Sequence, residues 1–180
     1  PFAKKTGEYK EGIAKIIDAE VPESLLPYIE LIQSLNNHDE LSIYPGSPGI
    51  AKSILRRQDN ANLYELHSTD HQLLEEFSER WRKAYVNKSD GYQGVLSHMP
   101  PPSRRGVVLI DPPYEIKNDY EKAVETVINA YKKFSSGTFI IWYPVVTRSY
   151  IETMEAKFKS SNVRNLLKVE FKLREDSEEY

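Results

Sequence analysis

Residues 109–115 read LIDPPYE, and the four from Asp111 to Tyr114 place an acceptor, two stiff residues and a flat ring side by side. They follow an apolar run, GVVLI, that reads as a buried strand. A residue before proline is pushed into extended backbone, and each proline fixes its own φ. Asp111, Pro112 and Pro113 therefore predict a rigid turn whose carbonyls are not at once consumed by a helix. Asp111 and a proline carbonyl can then accept hydrogen bonds from a single –NH₂ group, with Tyr114 stacked on the ring that carries it. An aromatic amine such as that of adenine is a poor nucleophile, because its lone pair is delocalised. Two acceptors on its hydrogens favour a more tetrahedral nitrogen and free the pair to attack an electrophilic methyl carbon held in line. Positive charge growing on the nitrogen is stabilised by the Asp111 carboxylate, which also suits removal of the surplus proton. The competing reading is a plain tight turn between strand and helix.

The elements that must carry this turn alternate. From Leu41 onward, helix signals (SPGIAKSILRRQ, STDHQLLEEFSERW, GYQGVLSHM, DYEKAVETVINAYKKFSSG, SYIETMEAKFKSS) separate strand signals (ANLYELH, AYVNKSDGYQ, GVVLI, TFIIWYPVV, NLLKVEFKL). Such alternation predicts an α/β fold with a mostly parallel, doubly wound sheet, in which ligands bind beyond the carboxyl ends of the strands. Three acids fall at such ends: Glu65, Asp90 and Asp111. Each alone is equally well read as a turn or helix-cap residue. Residues 1–40 predict a small helical subdomain, with Ile13, Ile16 and Ile17 on one stripe and Leu25, Ile29, Ile32 and Leu35 on another. Residues 41–180 form the α/β part.

Composition limits the remaining possibilities. At 180 residues, 39% apolar and 28% charged, the chain is a globular domain with material for a core. It has no cysteine, which excludes a disulfide framework, a zinc–thiolate site and a cysteine nucleophile. No apolar run reaches membrane-spanning length, and the first ten residues lack the apolar core of a signal peptide, so a cytoplasmic setting is expected. The net charge of −3 argues against tight nonspecific binding of nucleic acid, although basic clusters stand at Arg56–Arg57, Arg80–Lys83 and Arg104–Arg105.

The segments TGEYKEGIA, YPGSP, ELH, DGYQ, SRRGVVLIDPPYE and WYPVV, in that order, resemble the RlmJ family of ribosomal RNA methyltransferases over nearly the whole chain. The resemblance implies a Rossmann-like class I methyltransferase fold in which residues 1–40 are a helical insertion that helps bind RNA. It implies S-adenosylmethionine as methyl donor and the amino nitrogen of an adenine in large-subunit ribosomal RNA as acceptor. Asp111 becomes the catalytic residue, with Pro112, Pro113 and Tyr114 completing its motif. Ser47, Glu65, Asp90 and Gly91 become lining of the S-adenosylmethionine pocket, and no metal is required. Glu65 suits two ribose hydroxyls, Asp90 an adenine amine, and Gly91 a close backbone approach; Ser47 reads equally as a helix cap. Family homologues are also described as involved in catabolism of external DNA. The alternatives are therefore a nucleic-acid-binding protein serving use of external DNA, or an adenine methyltransferase acting on DNA. The glycine-rich first strand and loop of the family have no counterpart here, and the chain does not begin with Met. The first strand and the C-terminal end are thus expected to be missing, and these residues alone are expected to be inactive and to bind S-adenosylmethionine weakly. A monomer is expected.

Weaker signals point elsewhere. His67 and His71 have a metal-like spacing but no third ligand. Trp142 is expected in the core, with Tyr143 undecided. Lys52 and Arg56 read as phosphate contacts or as a solvated helix face.

Overall fold

The computed structural model describes residues 8–10, 12–36, 41–115 and 118–171. Contacts divide the chain into two compact units, Pro1–Leu63 with Gln72–Asn87 and Tyr64–His71 with Lys88–Tyr180.

In the first unit, the region of the expected Ile13, Ile16 and Ile17 helical stripe carries, among the described residues, two short 3₁₀ turns, Glu8–Lys10 and Ile13–Lys15. A third, Glu23–Leu25, runs directly into helix α1, Leu26–Ser34, with Pro27 in the first turn, where its missing N–H costs little. Ile13, Ile29 and Ile32 form the buried cluster, with Ile17 and Tyr28 against it. Leu25 and Leu35, at the margins of the stripe, stay exposed. Asn36 fixes the chain that follows. Its amide nitrogen donates to the carbonyls of Ile32 and Ile43 at 2.7 Å each, and its oxygen accepts from the backbone of Ser42 and Ile43. Helix α2, Ser47–Ile54, leads to strand β1, Ala61–Tyr64, which pairs with strand β2, Ala84–Asn87. Helix α3, Ser68–Ser78, lies between them in sequence.

In the second unit, helix α4 (Gly91–His98), strand β3 (Val107–Ile110), helix α5 (Asn118–Lys133), strand β4 (Thr138–Ile141) and helix α6 (Arg148–Ser160) follow in order. β3 and β4 are parallel, in the register Val107↔Thr138 through Ile110↔Ile141. A parallel pair needs a crossover, and α5 supplies it. Tyr120, Ala123, Val124, Val127 and Ala130 are buried along α5, the three-and-four spacing of one helical stripe. Ile110, Ala123 and Val127 make one buried cluster, and Tyr120, Val124 and Met154 another. Packing of α5 against β3, β4 and α6 thus sets where the strands end.

Two expectations need correction. GVVLI is not buried on both faces. Val108, Ile110, Phe139 and Ile141 face the α5 core, whereas Val107, Leu109 and Ile140 are exposed at 68%, 49% and 46%. A continuous apolar run reads as a strand covered on both sides; within the described residues only one side is. The segment 165–171, the described part of the run expected as a final strand, joins no ladder among the described residues and exposes Leu167, Val169 and Phe171. The rest of that prediction lies outside them. Gly137 follows α5 by four residues, in a turn where its N–H bonds the carbonyl of Phe134 at 3.2 Å.

Candidate active site

The last pair of the β3–β4 ladder is Ile110↔Ile141, and one of its bonds is the Trp142 backbone N–H donating to the carbonyl of Ile110 at 3.1 Å. Asp111 and Trp142 each directly follow a member of that pair, just beyond the carboxyl ends of two parallel strands. Asp111 is exposed, and no described residue donates a hydrogen bond to its carboxylate. Partial loss of hydration beside the turn nevertheless pushes its pKa above the ordinary carboxylate value. An acceptor at a strand end, short of partners and reluctant to charge, is suited to meeting a donor from a ligand.

The two prolines each fix their own φ in this turn. Pro112 is half-buried and Pro113 exposed. Tyr114 has a φ of 54°, in the left-handed region, which is uncommon for a bulky residue and is held only where the surroundings enforce it. Here the enforcement is visible. The Tyr114 hydroxyl donates to the carbonyl of Trp142 at 2.6 Å, and its ring lies 4.5 Å from that of Tyr120. Burial first, then the neighbouring phenols and carboxyls, raises the Tyr114 pKa, so the hydroxyl remains a donor. Trp142 itself, expected in the core, is 55% exposed.

Tyr92 was not singled out by sequence. Its hydroxyl is buried with no hydrogen-bond partner among the described residues. Burial, followed by the fields of Asp119 and Asp90, pushes its pKa up to about 12. Asp119 is buried in the first turn of α5, where the helix dipole favours negative charge. The only sequence signal for Tyr92 was its place in DGYQ.

The expected cofactor residues divide between the units. Asp90 is the N-cap of α4, its Oδ1 accepting from the Tyr92 N–H at 2.8 Å. Glu65, directly after β1, accepts from the His67 N–H at 2.8 Å through Oε1. Each half-buried carboxylate thus spends one oxygen on its own turn, and the other oxygen has no hydrogen-bond partner among the described residues. Acceptors of this kind fit the hydroxyl and amine donors of a nucleoside. Gly91 lies against Tyr64, where an added Cβ would sit 3.2 Å from the tyrosine Cβ. Ser47 belongs to the first unit. It is the exposed first residue of α2, and no side-chain cap bond is made there. His67 pairs with Asp70 at 3.3 Å in an exposed contact, and among the described residues no three potential ligands gather for a metal.

A family model described as "Ribosomal RNA large subunit methyltransferase D, RlmJ" matches residues 1–180. The chain belongs to the RlmJ family. It is 42% identical over 177 residues to "Ribosomal RNA large subunit methyltransferase J" of Escherichia coli K12, covering 98% of this chain and 63% of that protein. The protein of the same name in Haemophilus influenzae is 42% identical over 179 residues, covering 98% of this chain and 64% of that protein. A crystal structure of protein LPL1258 from Legionella pneumophila shares the fold, with a TM-score of 0.81 and 39% identity over 86% of this chain and 59% of that one. This member of the RlmJ family therefore spans less than two thirds of the length of these relatives, and its architecture is α/β with parallel strands. Among the described residues no helix is long and apolar enough to cross a membrane.

Proposed function

We propose that this chain carries the target-amine site of a methyltransferase that acts on the exocyclic nitrogen of an adenine in large-subunit ribosomal RNA. The observation that carries the proposal is the exposed Asp111, without a described hydrogen-bond donor, at the end of a parallel strand and fixed in a two-proline turn. The names of the relatives support ribosomal RNA as the substrate class.

In this reading Asp111 and the carbonyl of Pro112 accept the two amine hydrogens, and the proline pair holds both acceptors still. Tyr114 flanks the base. The Asp111 carboxylate stabilises the charge that develops on the nitrogen and receives the proton it sheds, directly or through water. S-adenosylmethionine, when bound, supplies the electrophilic methyl group. Glu65, Asp90 and Gly91, all of the second unit, are the residues proposed to hold it. Glu65 and Asp90 serve as acceptors for its hydroxyls and amine, and Gly91 allows close backbone approach. The elevated pKa of Asp111 also fits proton uptake, because a carboxyl that resists ionisation is a better base.

The test is methyl transfer from labelled S-adenosylmethionine to unmodified ribosomal RNA and to DNA of the same sequence, using the protein encoded by its full gene. Asp111→Ala is expected to lower the rate on RNA by about 10²–10³-fold while leaving S-adenosylmethionine binding intact. Transfer at the wild-type rate by the variant would remove Asp111 from the chemistry. Transfer to DNA alone would move the substrate class.

A further inference from the structure

We infer that Trp142 supplies the stacking face for the adenine whose amine meets Asp111. This rests on the methyltransferase reading and adds to it the residue that grips the base.

Three observations carry the inference. The first is position. Asp111 and Trp142 directly follow Ile110 and Ile141, the last register pair of the two parallel strands, and the Trp142 N–H makes a ladder bond of that pair. Adjacent strands lie about 4.8 Å apart, so a heterocycle touching one residue is within reach of the other. Side chains alternate along a strand, and Ile110 and Ile141 point to the α5 core. Asp111 and Trp142 are both exposed, as expected for residues turned to the opposite face.

The second observation is exposure. At 55% exposed, Trp142 leaves much of its indole in water. Val107, Leu109 and Ile140 are open on the same sheet face, and Trp142 differs from them in offering a flat ring beside an acceptor short of partners. Tyr114 offers less. It is half-buried, with its ring between Tyr120 and the Trp142 indole, 6.3 Å from the latter and tilted to it, and its hydroxyl spent on the Trp142 carbonyl.

The third observation is rigidity. The Trp142 backbone is held on both sides, its N–H by Ile110 and its carbonyl by the Tyr114 hydroxyl. A side chain that is open while its backbone is fixed makes a stacking platform with little ordering left to do on binding. The chemistry that fits is a base splayed from single-stranded RNA, since a stacked base hides its face.

The experiment uses the full-length protein with every other tryptophan replaced by phenylalanine. A short adenine-rich oligoribonucleotide is titrated against the fluorescence of Trp142, and methyl transfer to ribosomal RNA is measured for Trp142→Ala and Trp142→Phe. Expected results are quenching of Trp142 on binding, a 5- to 150-fold loss in RNA affinity or rise in KM for Trp142→Ala (about one stacked base), and recovery of most of it by Trp142→Phe. Thermal melting of both variants separates a folding defect from lost stacking. Unchanged fluorescence at saturating oligonucleotide, or unchanged RNA affinity in a folded Trp142→Ala, would overturn the assignment. If the parent protein transfers no methyl group to any RNA, the functional reading fails on its own account, and quenching still decides whether Trp142 stacks on a base.

Discussion

The hydroxyl of Tyr114 donates to the carbonyl of Trp142 at 2.6 Å, tying the turn after β3 to the segment after β4. Tyr114 holds a left-handed backbone in doing so. The bond thus secures a strained turn beside Asp111, and strain of this kind persists only where the surrounding structure over-determines it.

Tyr114→Phe keeps the ring and removes this tie. A neutral hydrogen bond contributes about 1 kcal/mol to stability, less where water can replace the lost partner. The variant is expected to unfold at a lower urea midpoint with an unchanged slope. Equal midpoints would show that ring packing on Tyr120 alone holds the turn.

The pH dependence of Asp111 follows from its direction of shift. Its folded pKa lies above the unfolded value, so the folded state binds the proton more tightly. Below the ordinary carboxylate range the group costs nothing. As pH rises through the window between the two values the folded state becomes progressively penalised, and above it the penalty is complete. Asp111→Asn should therefore be more stable than the parent at neutral pH, with the difference fading in acid. In the proposed reaction the ionised form is the acceptor, so methyl transfer by the full-length protein should fall in acid with an apparent pKa above that of an ordinary aspartate. Melting temperatures of the two proteins at neutral and acidic pH, together with a pH–rate profile, check both signs.

Much of this was legible because it is local or periodic. The α5 stripe of Tyr120, Ala123, Val124, Val127 and Ala130 follows from helical spacing, and the Asp90 cap from its residue type ahead of Gly91. The rigid turn at Asp111 follows from two prolines. What could not be read depends on contacts between distant residues. Trp142 and Ile141 are adjacent and both apolar, yet one is open and the other packs on α5, because the strand alternation had not been anchored to a face. Tyr92 looks like any aromatic until its hydroxyl is found buried without a partner. The two 3₁₀ turns before Glu23 carry a helical apolar spacing, but only Ile13 of Ile13, Ile16 and Ile17 is buried. Tertiary packing there outweighs periodicity.

Gly94 in α4 marks a close approach. A Cβ added there would meet two ring atoms of Tyr64 at 2.3 Å and a third at 2.8 Å. The ring cannot swing away freely, since its hydroxyl is paired with Nδ1 of His98 at 3.0 Å. Alanine gains about 1 kcal/mol of helix propensity over glycine, but overpacking of this kind loses roughly 1–3 kcal/mol. Gly94→Ala is thus expected to be destabilising on balance. Adding Tyr64→Ala should recover part of the loss, and simple additivity in that double-mutant cycle would show that the two residues do not meet.

Glu170 anchors the segment after α6. Its Oε1 accepts from Tyr143 and from Arg148 at 3.1 Å, its Oε2 accepts from Arg148 at 3.2 Å, and Lys168 lies 3.3 Å away. Burial would raise its pKa, but hydrogen bonds from Arg148, Lys168 and Tyr143 together outweigh that and hold the carboxyl below the usual range. The side chain is 12% exposed and that of its partner Arg148 32% exposed, so the stabilisation belongs near the low end for a charged hydrogen bond, about 1.5 kcal/mol. For a carboxyl with a depressed folded pKa this stability is present above the unfolded value and is lost as pH falls through the folded one. Glu170→Gln should lower the urea midpoint at neutral pH and cease to matter in strong acid. A midpoint difference that persisted unchanged at low pH would mean that Glu170 acts by packing alone, without its charge.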